Sequence, residues 1–261
     1  MIVCTDGKIS LKASVVALGM FDGVHIGHQV LLRKASMLAR REHVPLVVQT
    51  FADHPLRLLD PENQPPLLTT FEERVKLMEE LGVDYYCAQP FTAAVRDMPP
   101  EEFVGRLVSR WKPVAVVAGY NYSFGSEGAG TPLWLHALGD ALGFHTVIVP
   151  AIQYEGKPVS ASEVRRVLAL GQAGYARKLL GRPYALEVEK LAGRQGVYRF
   201  ATDEKQPVPA NVYRVIAETD ELRLPALARV TDRETVFCRL PVKMRDVNRL
   251  TLAFIAEQPA K

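Results

Sequence analysis

Residues 19–28 read GMFDGVHIGH and follow the apolar run SVVAL at 14–18. A continuous apolar run that ends in glycine is typical of a strand buried on both faces of a sheet. The run HQVLLRKASMLARRE at 28–42 then has apolar residues at helical spacing, which predicts a helix. A strand, a glycine-rich turn and a helix in this order indicate an α/β fold with a binding site at the turn.

The same alternation continues along the chain and predicts five strands separated by helices. The apolar runs that indicate strands are 14–20, 44–51, 83–91, 113–120 and 145–150. Helical patterns fall between them, at 28–42, 69–82, 100–111 and from 132 onward. The fold class that follows is a Rossmann-like, doubly wound parallel sheet, in which ligands bind beyond the carboxyl ends of the strands.

The pattern of the chain changes near residue 184. From there to 261, short alternating runs separated by turn residues predict an all-β domain, either a small barrel or a curled sheet. We therefore expect two domains, 1–183 and 184–261.

Composition excludes several classes of protein. The chain is 48% apolar and 23% charged, as ordinary globular proteins are. With 32 basic and 29 acidic residues the net charge is only +3, which does not indicate nucleic-acid binding, and no apolar run is long enough to span a membrane. Cys4, Cys87 and Cys238 lie far apart in sequence, so we expect unpaired thiols in a reducing cytoplasm.

His25 and His28 stand at the start of the first predicted helix. Unpaired backbone N–H groups and the helix dipole attract phosphate to such a place. Imidazoles there can hydrogen-bond phosphate oxygens whose charge grows during transfer, and Gly27 lets a nucleotide approach the backbone closely. The alternative is a pair of surface or helix-capping histidines. The strand before the motif and the helix after it favour the phosphate site.

A second candidate for phosphate binding is VSASEVRRVL at 159–168. Ser160 and Ser162 are positioned to cap a helix that starts near Glu163, and Arg165 projects from its first turn. Hydroxyls, free N–H groups and a guanidinium at one helix start suit a polyphosphate. The alternative, an ordinary N-cap followed by a surface arginine, is the commoner arrangement. The segment follows the fifth strand, at the sheet edge expected for the histidines.

Five segments in order resemble the adenylyltransferase domain of prokaryotic FAD synthetases, the bifunctional riboflavin kinase/FMN adenylyltransferases. They are GMFDGVHIGH, TFADHP, LLTTFEER, AGYNYSFG and VSASEVR, and the resemblance covers residues 14 to about 184. It implies a cytoplasmic enzyme that transfers AMP from ATP to FMN and releases FAD and pyrophosphate, with Mg²⁺ accompanying ATP. Its partners would be small molecules, with no nucleic acid and no membrane.

The resemblance also implies three groups of site residues. The catalytic group is His25, His28 and Arg165. The group that binds ATP and its phosphates is Gly19, Phe21, Asp22, Gly27, Ser160 and Ser162. The flavin group is Phe51, His54, Pro55, Asn121, Tyr122 and Phe124, although an ordinary place in the core explains each aromatic ring equally well. The resemblance does not identify which residues would bind a metal ion. Asp53 and Asn121 depart from the family pattern, which usually has proline and often has aspartate at these places.

Residues 184–261 depart further from the family. A riboflavin kinase module carries a glycine-rich segment that ends in PTAN, and this chain lacks PTAN and most of those glycines. We therefore expect a degenerate kinase module. Three alternatives stay open: a bifunctional enzyme with residual kinase activity, a nucleotidyltransferase for phosphopantetheine or nicotinamide mononucleotide, and a catalytically inactive flavin- or nucleotide-binding regulatory protein.

Overall fold

The computed structural model describes residues 1–4, 9–191, 196–201, 204–244 and 247–258. The chain divides into two compact units, Met1–Pro65 with Phe71–Pro158 and Pro66–Thr70 with Val159–Lys261. The second unit includes residues before Tyr184, and the domain boundary expected between 183 and 184 stays a prediction. Within the described residues, no helix combines the length and the apolar character that crossing a membrane requires.

The first unit contains a parallel sheet of six strands in the order β1-β4-β3-β2-β5-β6. Its strands are β1 Ile2–Cys4, β2 Ser14–Leu18, β3 Leu46–Phe51, β4 Tyr85–Gln89, β5 Pro113–Gly119 and β6 His145–Val149. Five of them are the predicted strands, and the expected count is therefore one too low. The sequence does not predict β1, because a strand of three residues, two of them exposed, is too short to show a period.

Helices separate the strands of this unit. They are α1 Ile26–Arg41, α2 Leu56–Leu59, α3 Phe71–Glu80, α4 Ala93–Arg96, α5 Pro100–Trp111 and α6 Pro132–Leu142, and the hairpin β7 Gln153–Tyr154 with β8 Lys157–Pro158 follows the sheet. Every residue of β2 is buried. Val15 and Ala17 belong to one core cluster, whereas Val16 and Leu18 belong to another, so the sheet is covered on both faces. This confirms the doubly wound fold.

The order of the strands creates a switch point between β2 and β5. From β2 the chain adds β3 and β4 on one side, and then adds β5 and β6 on the other. Loops that leave the carboxyl ends of β2 and β5 therefore diverge, and the crevice between them is where such sheets bind ligands. The segments 19–28 and 119–125 begin at these two ends.

Cys4 and Cys87 correct the expectation of unpaired thiols. The two residues are 83 positions apart in sequence, yet the parallel register of β1 and β4 places them side by side, and they form a disulfide. Because β1 was not predicted, its pairing with β4 could not be foreseen. Cys238 is a free, buried thiol.

The second unit is a closed antiparallel barrel with two helices, α7 Ala161–Ala169 and α8 Ala173–Leu180. Its strands are β9 Tyr184–Lys190, β10 Val197–Phe200, β11 Asn211–Glu218, β12 Arg223–Val230, β13 Thr235–Arg239 and β14 Arg249–Glu257, arranged in the order β10-β13-β12-β11-β14-β9. All six correspond to alternating runs in the sequence, which confirms the predicted barrel. The segment 66–70 joins this unit through a parallel bridge between Leu67 and Lys205.

Candidate active site

The turn between β2 and α1 is shaped by close packing of Gly19 and Phe21. A Cβ atom on Gly19 would lie 2.9 Å from the Phe21 ring, so a larger residue would displace that ring. Phe21 has a positive φ of 54° and is fully buried in the core. The ring of His28 meets it edge-on at 5.2 Å. Phe21 therefore packs against the ring of His28 and helps to hold it in place. The expected contact of Phe21 with ATP stays a prediction.

His25 and His28 form a stacked pair at the start of α1. His25 is the N-cap residue, and its Nδ1 accepts a hydrogen bond from the backbone N–H of His28 at 3.3 Å. The two rings stack with centroids 3.7 Å apart and planes inclined by 18°. His25 thus does cap the helix, as one alternative from the sequence held, and in doing so it fixes the position of the second ring.

The environment of His28 keeps its imidazole neutral at pH 7. Burial of the ring, and secondarily the neighbouring His25, hold the pKa of His28 well below its usual value of 6.5. Its Nδ1 is buried and has no hydrogen-bond partner among the described residues. An unpaired nitrogen in this position is unfavourable unless a ligand engages the ring. A bound phosphate would raise this pKa and strengthen a hydrogen bond from the imidazole.

Asp22 and Gly27 complete the expected phosphate segment. Asp22 is buried, with 4% of its surface exposed, in the short 3₁₀ turn that precedes His25. Gly27 is partly exposed in the first turn of α1. The described residues contain no cluster of three His, Cys, Asp or Glu side chains that could hold a metal ion.

The segment after β3 carries three of the expected flavin residues. Phe51, His54 and Pro55 are all partly exposed. The Phe51 ring meets Phe91 edge-on at 5.0 Å, and His54 Nδ1 accepts a hydrogen bond from the N–H of Leu56 at the start of α2. Asp53 forms an exposed ion pair with Arg57. This ion pair is the local structural role of aspartate at a position where the family usually has proline.

The segment after β5 carries the other three flavin candidates, which differ in exposure. Asn121 is exposed and Tyr122 is partly exposed. Phe124 is only 5% exposed and belongs to the core, where it packs on Phe103 and stacks against Tyr122. Phe124 is therefore an ordinary core ring, which was the alternative from the sequence. It packs beneath the more exposed Tyr122.

The segments after β3, β2 and β5 leave three adjacent strands at the same edge of the sheet. The hydroxyl of Thr50 donates a hydrogen bond to the carbonyl of Met20 at 3.3 Å, which ties the first two segments together. The fold thus brings the histidine pair and the flavin candidates of the first unit to the same edge of the sheet.

Ser160, Ser162 and Arg165 lie in the second unit. Ser160 is the N-cap of α7, and its hydroxyl accepts a hydrogen bond from Glu163 N–H at 3.1 Å. The helix begins at Ala161, so the expectation that Ser162 also caps it is wrong; Ser162 is exposed in the first turn. Arg165 Nε donates to the carbonyl of Pro66 at 2.6 Å. Phosphate binding by these three residues stays a prediction.

Comparison with known proteins decides the family. A family model described as FAD synthetase matches residues 8–163, more than half of the chain. The chain belongs to the FAD synthetase family.

Several relatives in this family share more than the matched segment. The Bifunctional riboflavin kinase/FMN adenylyltransferase of Listeria monocytogenes is 34% identical over 180 residues, which are 69% of this chain and 57% of the relative. The protein of the same name from Escherichia coli strain K12 is 29% identical over 234 residues, 86% of this chain and 75% of the relative. The chain thus spans little more than half the length of the first relative.

A solved structure shares the fold of nearly the whole chain. The crystal structure titled Macrolide-efflux Protein, from Streptococcus pneumoniae, superposes with a TM-score of 0.86 at 25% identity and covers 98% of both chains. The parallel sheet and the barrel therefore recur together in another protein of similar length.

Arg74 is a residue of this FAD synthetase family member that the sequence analysis missed. It lies on α3, within the LLTTFEER segment, and only 3% of its surface is exposed. Its guanidinium donates to the carbonyl of Ala52 at 2.7 Å and to that of Phe51 at 3.4 Å. Arg74 therefore holds the backbone at the end of β3, where the segment with the flavin candidates Phe51, His54 and Pro55 begins. The LLTTFEER segment includes Arg74 in the resemblance, but the spacing of an amphipathic helix gives no sign of this contact.

Tyr86 of β4 lies in the electrostatic field of Arg74. The Tyr86 hydroxyl is buried and has no hydrogen-bond partner among the described residues. Burial, with a smaller contribution from Asp22, raises the pKa of Tyr86, and the positive charge of Arg74 partly offsets this rise. Tyr86 is therefore neutral, and the charged groups that act on it, Arg74 and Asp22, are themselves buried.

Proposed function

We propose that this protein is an FMN adenylyltransferase, which transfers AMP from ATP to FMN and forms FAD and pyrophosphate. The observation that carries the proposal is the stacked His25–His28 pair at the start of α1, beside the switch point of a FAD synthetase sheet. The names of the relatives support the same reaction.

In this reaction a phosphate oxygen of FMN attacks the α-phosphorus of ATP. A new P–O bond forms there, while the bond from the α-phosphorus to the oxygen that bridges to the β-phosphorus breaks, and pyrophosphate leaves. Such transfer depends on positioning and on stabilising charge. Mg²⁺ bound with ATP would neutralise charge on the phosphates, and since the described residues contain no cluster of three metal-ligating side chains, the phosphates would supply part of its ligands.

His28 stabilises the negative charge that develops on the phosphoryl oxygens. Its neutral imidazole donates an N–H to an oxygen, and the free amides at the start of α1 add further donors. His25 fixes the orientation of that ring through the stack and the cap. Gly19, Asp22 and Gly27 shape the ATP side, and Phe21 supports the histidines.

The flavin lies against the segments after β3 and β5 in this proposal. Phe51, His54, Pro55 and Tyr122 offer partly exposed surface for an aromatic ring system, and Asn121 offers an exposed amide. Phe124 contributes by backing Tyr122.

The β- and γ-phosphates of ATP are assigned to residues of the second unit. Ser160, Ser162 and Arg165 take this role because they lie in VSASEVR at 159–165, one of the segments that resemble the family. A cytoplasmic location and the lack of nucleic-acid substrates belong to the same proposal.

A second candidate is a bifunctional enzyme that also phosphorylates riboflavin. The closed barrel and the match to the Escherichia coli relative, which extends over 86% of the chain, favour it. The lack of PTAN and of the glycine-rich segment argues against it. We therefore expect no kinase activity.

One experiment separates these functions. Purified protein is incubated with ATP and Mg²⁺ together with FMN or riboflavin, and the flavins are resolved by chromatography. We expect FAD and pyrophosphate from FMN, and no FMN from riboflavin. FMN formed from riboflavin at a comparable rate would establish the bifunctional enzyme.

A binding measurement tests the two remaining alternatives, a regulatory binding protein and a nucleotidyltransferase with another substrate. If FMN and ATP quench protein or flavin fluorescence on binding but yield no FAD, the protein is a regulatory binder and the proposal is wrong. If FMN does not bind while another phosphate acceptor is adenylylated, the substrate assignment is wrong and the nucleotidyltransferase chemistry stands.

A further inference from the structure

Three arginines with exposed side chains lie on the outer face of the barrel, on β11, β12 and β13. Because side chains alternate along a strand, the buried Tyr213, Val215 and Ala228 point inward and their neighbours point outward. Arg214, Arg229 and Arg239 are all exposed on this outer face.

The guanidinium groups of these three arginines have no hydrogen bond or ion pair to any residue that the structure describes. The other three arginines in the barrel strands each pair with a carboxylate: Arg199 with Glu189, Arg223 with Glu218 and Arg249 with Glu187. Strands β12 and β13 contain no acidic residue at all. On the outer surface of β11, β12 and β13, only Arg223 at the start of β12 is therefore balanced, by Glu218 of β11, and the positive charges of Arg214, Arg229 and Arg239 are not balanced by a described carboxylate.

Apolar surface is interleaved with this charge. The strand register aligns Arg214, Leu227 and Arg239 in one row across three strands, and Arg229 lies beside Phe237 in the next row. A groove of about 590 Å³ runs along this face, and its apolar lining includes Ile216, Pro225, Leu227, Leu240, Pro241 and Ile255. Arg214 and Arg239 also line it.

The most exposed apolar side chains of the barrel belong to the same region. Phe237 is 46% exposed and Val242, directly after Pro241, is 72% exposed, and among the described residues from 184 onward they are the only large apolar side chains with more than about a third of their surface exposed. We define the basic apolar face as Arg214, Arg229 and Arg239 with the groove and Phe237.

We propose that the basic apolar face binds an extended acidic peptide segment of another protein, with aliphatic side chains in the groove and carboxylates on the arginines. Charge complementarity carries the choice of an acidic partner. Because a closed barrel has no free strand edge, the peptide lies on the side chains and does not extend the sheet.

The shape of the face favours a peptide over a single-stranded nucleic acid. Sequence-independent nucleic-acid sites stack successive bases on several aromatic rings, whereas this groove is lined by aliphatic side chains and prolines. Arg214 and Arg239 are two strands apart, a spacing of about 10 Å. Carboxylates on one face of an extended peptide, four residues apart, are separated by about 13 Å, a difference that arginine side chains span.

The test measures binding of a labelled peptide to the full-chain protein by fluorescence anisotropy. The probe contains two copies of Glu-Ser-Leu-Ser-Glu, and within each copy Glu, Leu and Glu lie on one face of an extended chain. Probes with Gln for Glu, and with Ser for Leu, separate the charged and apolar contributions. Labelled oligo-dT of equal length tests the nucleic-acid alternative.

The matched variants are Arg214→Gln/Arg239→Gln and Arg199→Gln/Arg249→Gln, which remove the same charge from opposite sides of the barrel. We expect the first pair to weaken peptide binding by about 2- to 30-fold, from two exposed charge pairs, and the second to change it less than about twofold. We also expect weaker binding at higher salt and to the Gln and Ser probes.

Three results would overturn the proposal. Equal losses in both double variants would show only general charge attraction. Tighter binding of oligo-dT, with the same dependence on Arg214 and Arg239, would assign the face to nucleic acid. Absence of binding to the acidic probe at millimolar concentration would leave the face as ordinary solvated surface.

Discussion

The contact between Arg74 and the end of β3 gives the sharpest test of how the fold positions the flavin segment. In Arg74→Met the side chain keeps its aliphatic volume but loses both hydrogen bonds, to Phe51 and Ala52. Hydrogen bonds from charged donors contribute about 1.5–3 kcal/mol each, the bond at 3.4 Å less, and removing a buried charge offsets part of the loss. We expect the free energy of unfolding to fall by about 2–3 kcal/mol.

This loss corresponds to a decrease in Tm of about 4–12 °C for a unit of this size. Because the freed carbonyls lie in the flavin segment, the KM for FMN should rise about tenfold, equivalent to about 1.4 kcal/mol, while the KM for ATP changes little. Lysine at this position reaches one carbonyl with a single ammonium group, so Arg74→Lys should lose about half as much.

The assay combines thermal unfolding with initial rates of FAD formation at varied FMN and at varied ATP. Arg57→Gln is the matched control, since it removes an exposed arginine from the same segment, where Asp53 is its ion-pair partner among the described residues. Its effect should stay below about 0.5 kcal/mol. An unchanged Tm in Arg74→Met, or an equal rise of both KM values, would refute the reasoning.

Four other outcomes follow from the site and the fold. His28→Ala should slow FAD formation about 10²–10³-fold, as loss of one transition-state donor does, and a near-normal initial rate would count against the proposed role. Because the folded state lowers the pKa of His28, the unfolded chain takes up the proton first, and stability should decline as pH falls below 6.5 towards the folded pKa. Urea unfolding of His28→Asn should lack this part of the decline; superimposable pH profiles would contradict it. Arg165→Ala should raise the KM for ATP more than that for FMN, with partial rescue by Lys, whereas a larger effect on FMN would move Arg165 to the flavin. Gly125→Ala, at φ 75° with its new Cβ 2.7 Å from Pro100, should destabilise by about 2 kcal/mol more than Gly143→Ala, at φ 80° with no neighbour within 4 Å, and equal losses in urea unfolding would disprove the clash.

Local pattern alone was enough to predict most elements of this protein. The apolar run at 14–18 and the helical spacing after residue 28 depend on residues close in sequence, as do the six alternating runs of the barrel. The placement of His25 and His28 at a helix start also follows from local order. These features were predictable because periodicity and capping are properties of neighbouring residues.

Some local patterns still left a choice that only packing resolved. Phe124 and Tyr122 stand two residues apart in one segment, and nothing in the sequence tells which ring is exposed. The tertiary structure buries Phe124 against Phe103 and leaves Tyr122 in front of it. In the same way, the sequence near Ser160 and Ser162 offered two caps, and the backbone uses one.

The tertiary structure alone decided which residues distant in the chain contact one another. The sequence determined the order of strands and helices, the histidine motif at its turn and the barrel strands. The fold decided that Cys4 meets Cys87, that Arg74 reaches the end of β3, and that three unpaired arginines from three strands share one face. Such contacts depend on strand order and register, which are set by the packing of the whole unit and leave no mark on the residues nearby.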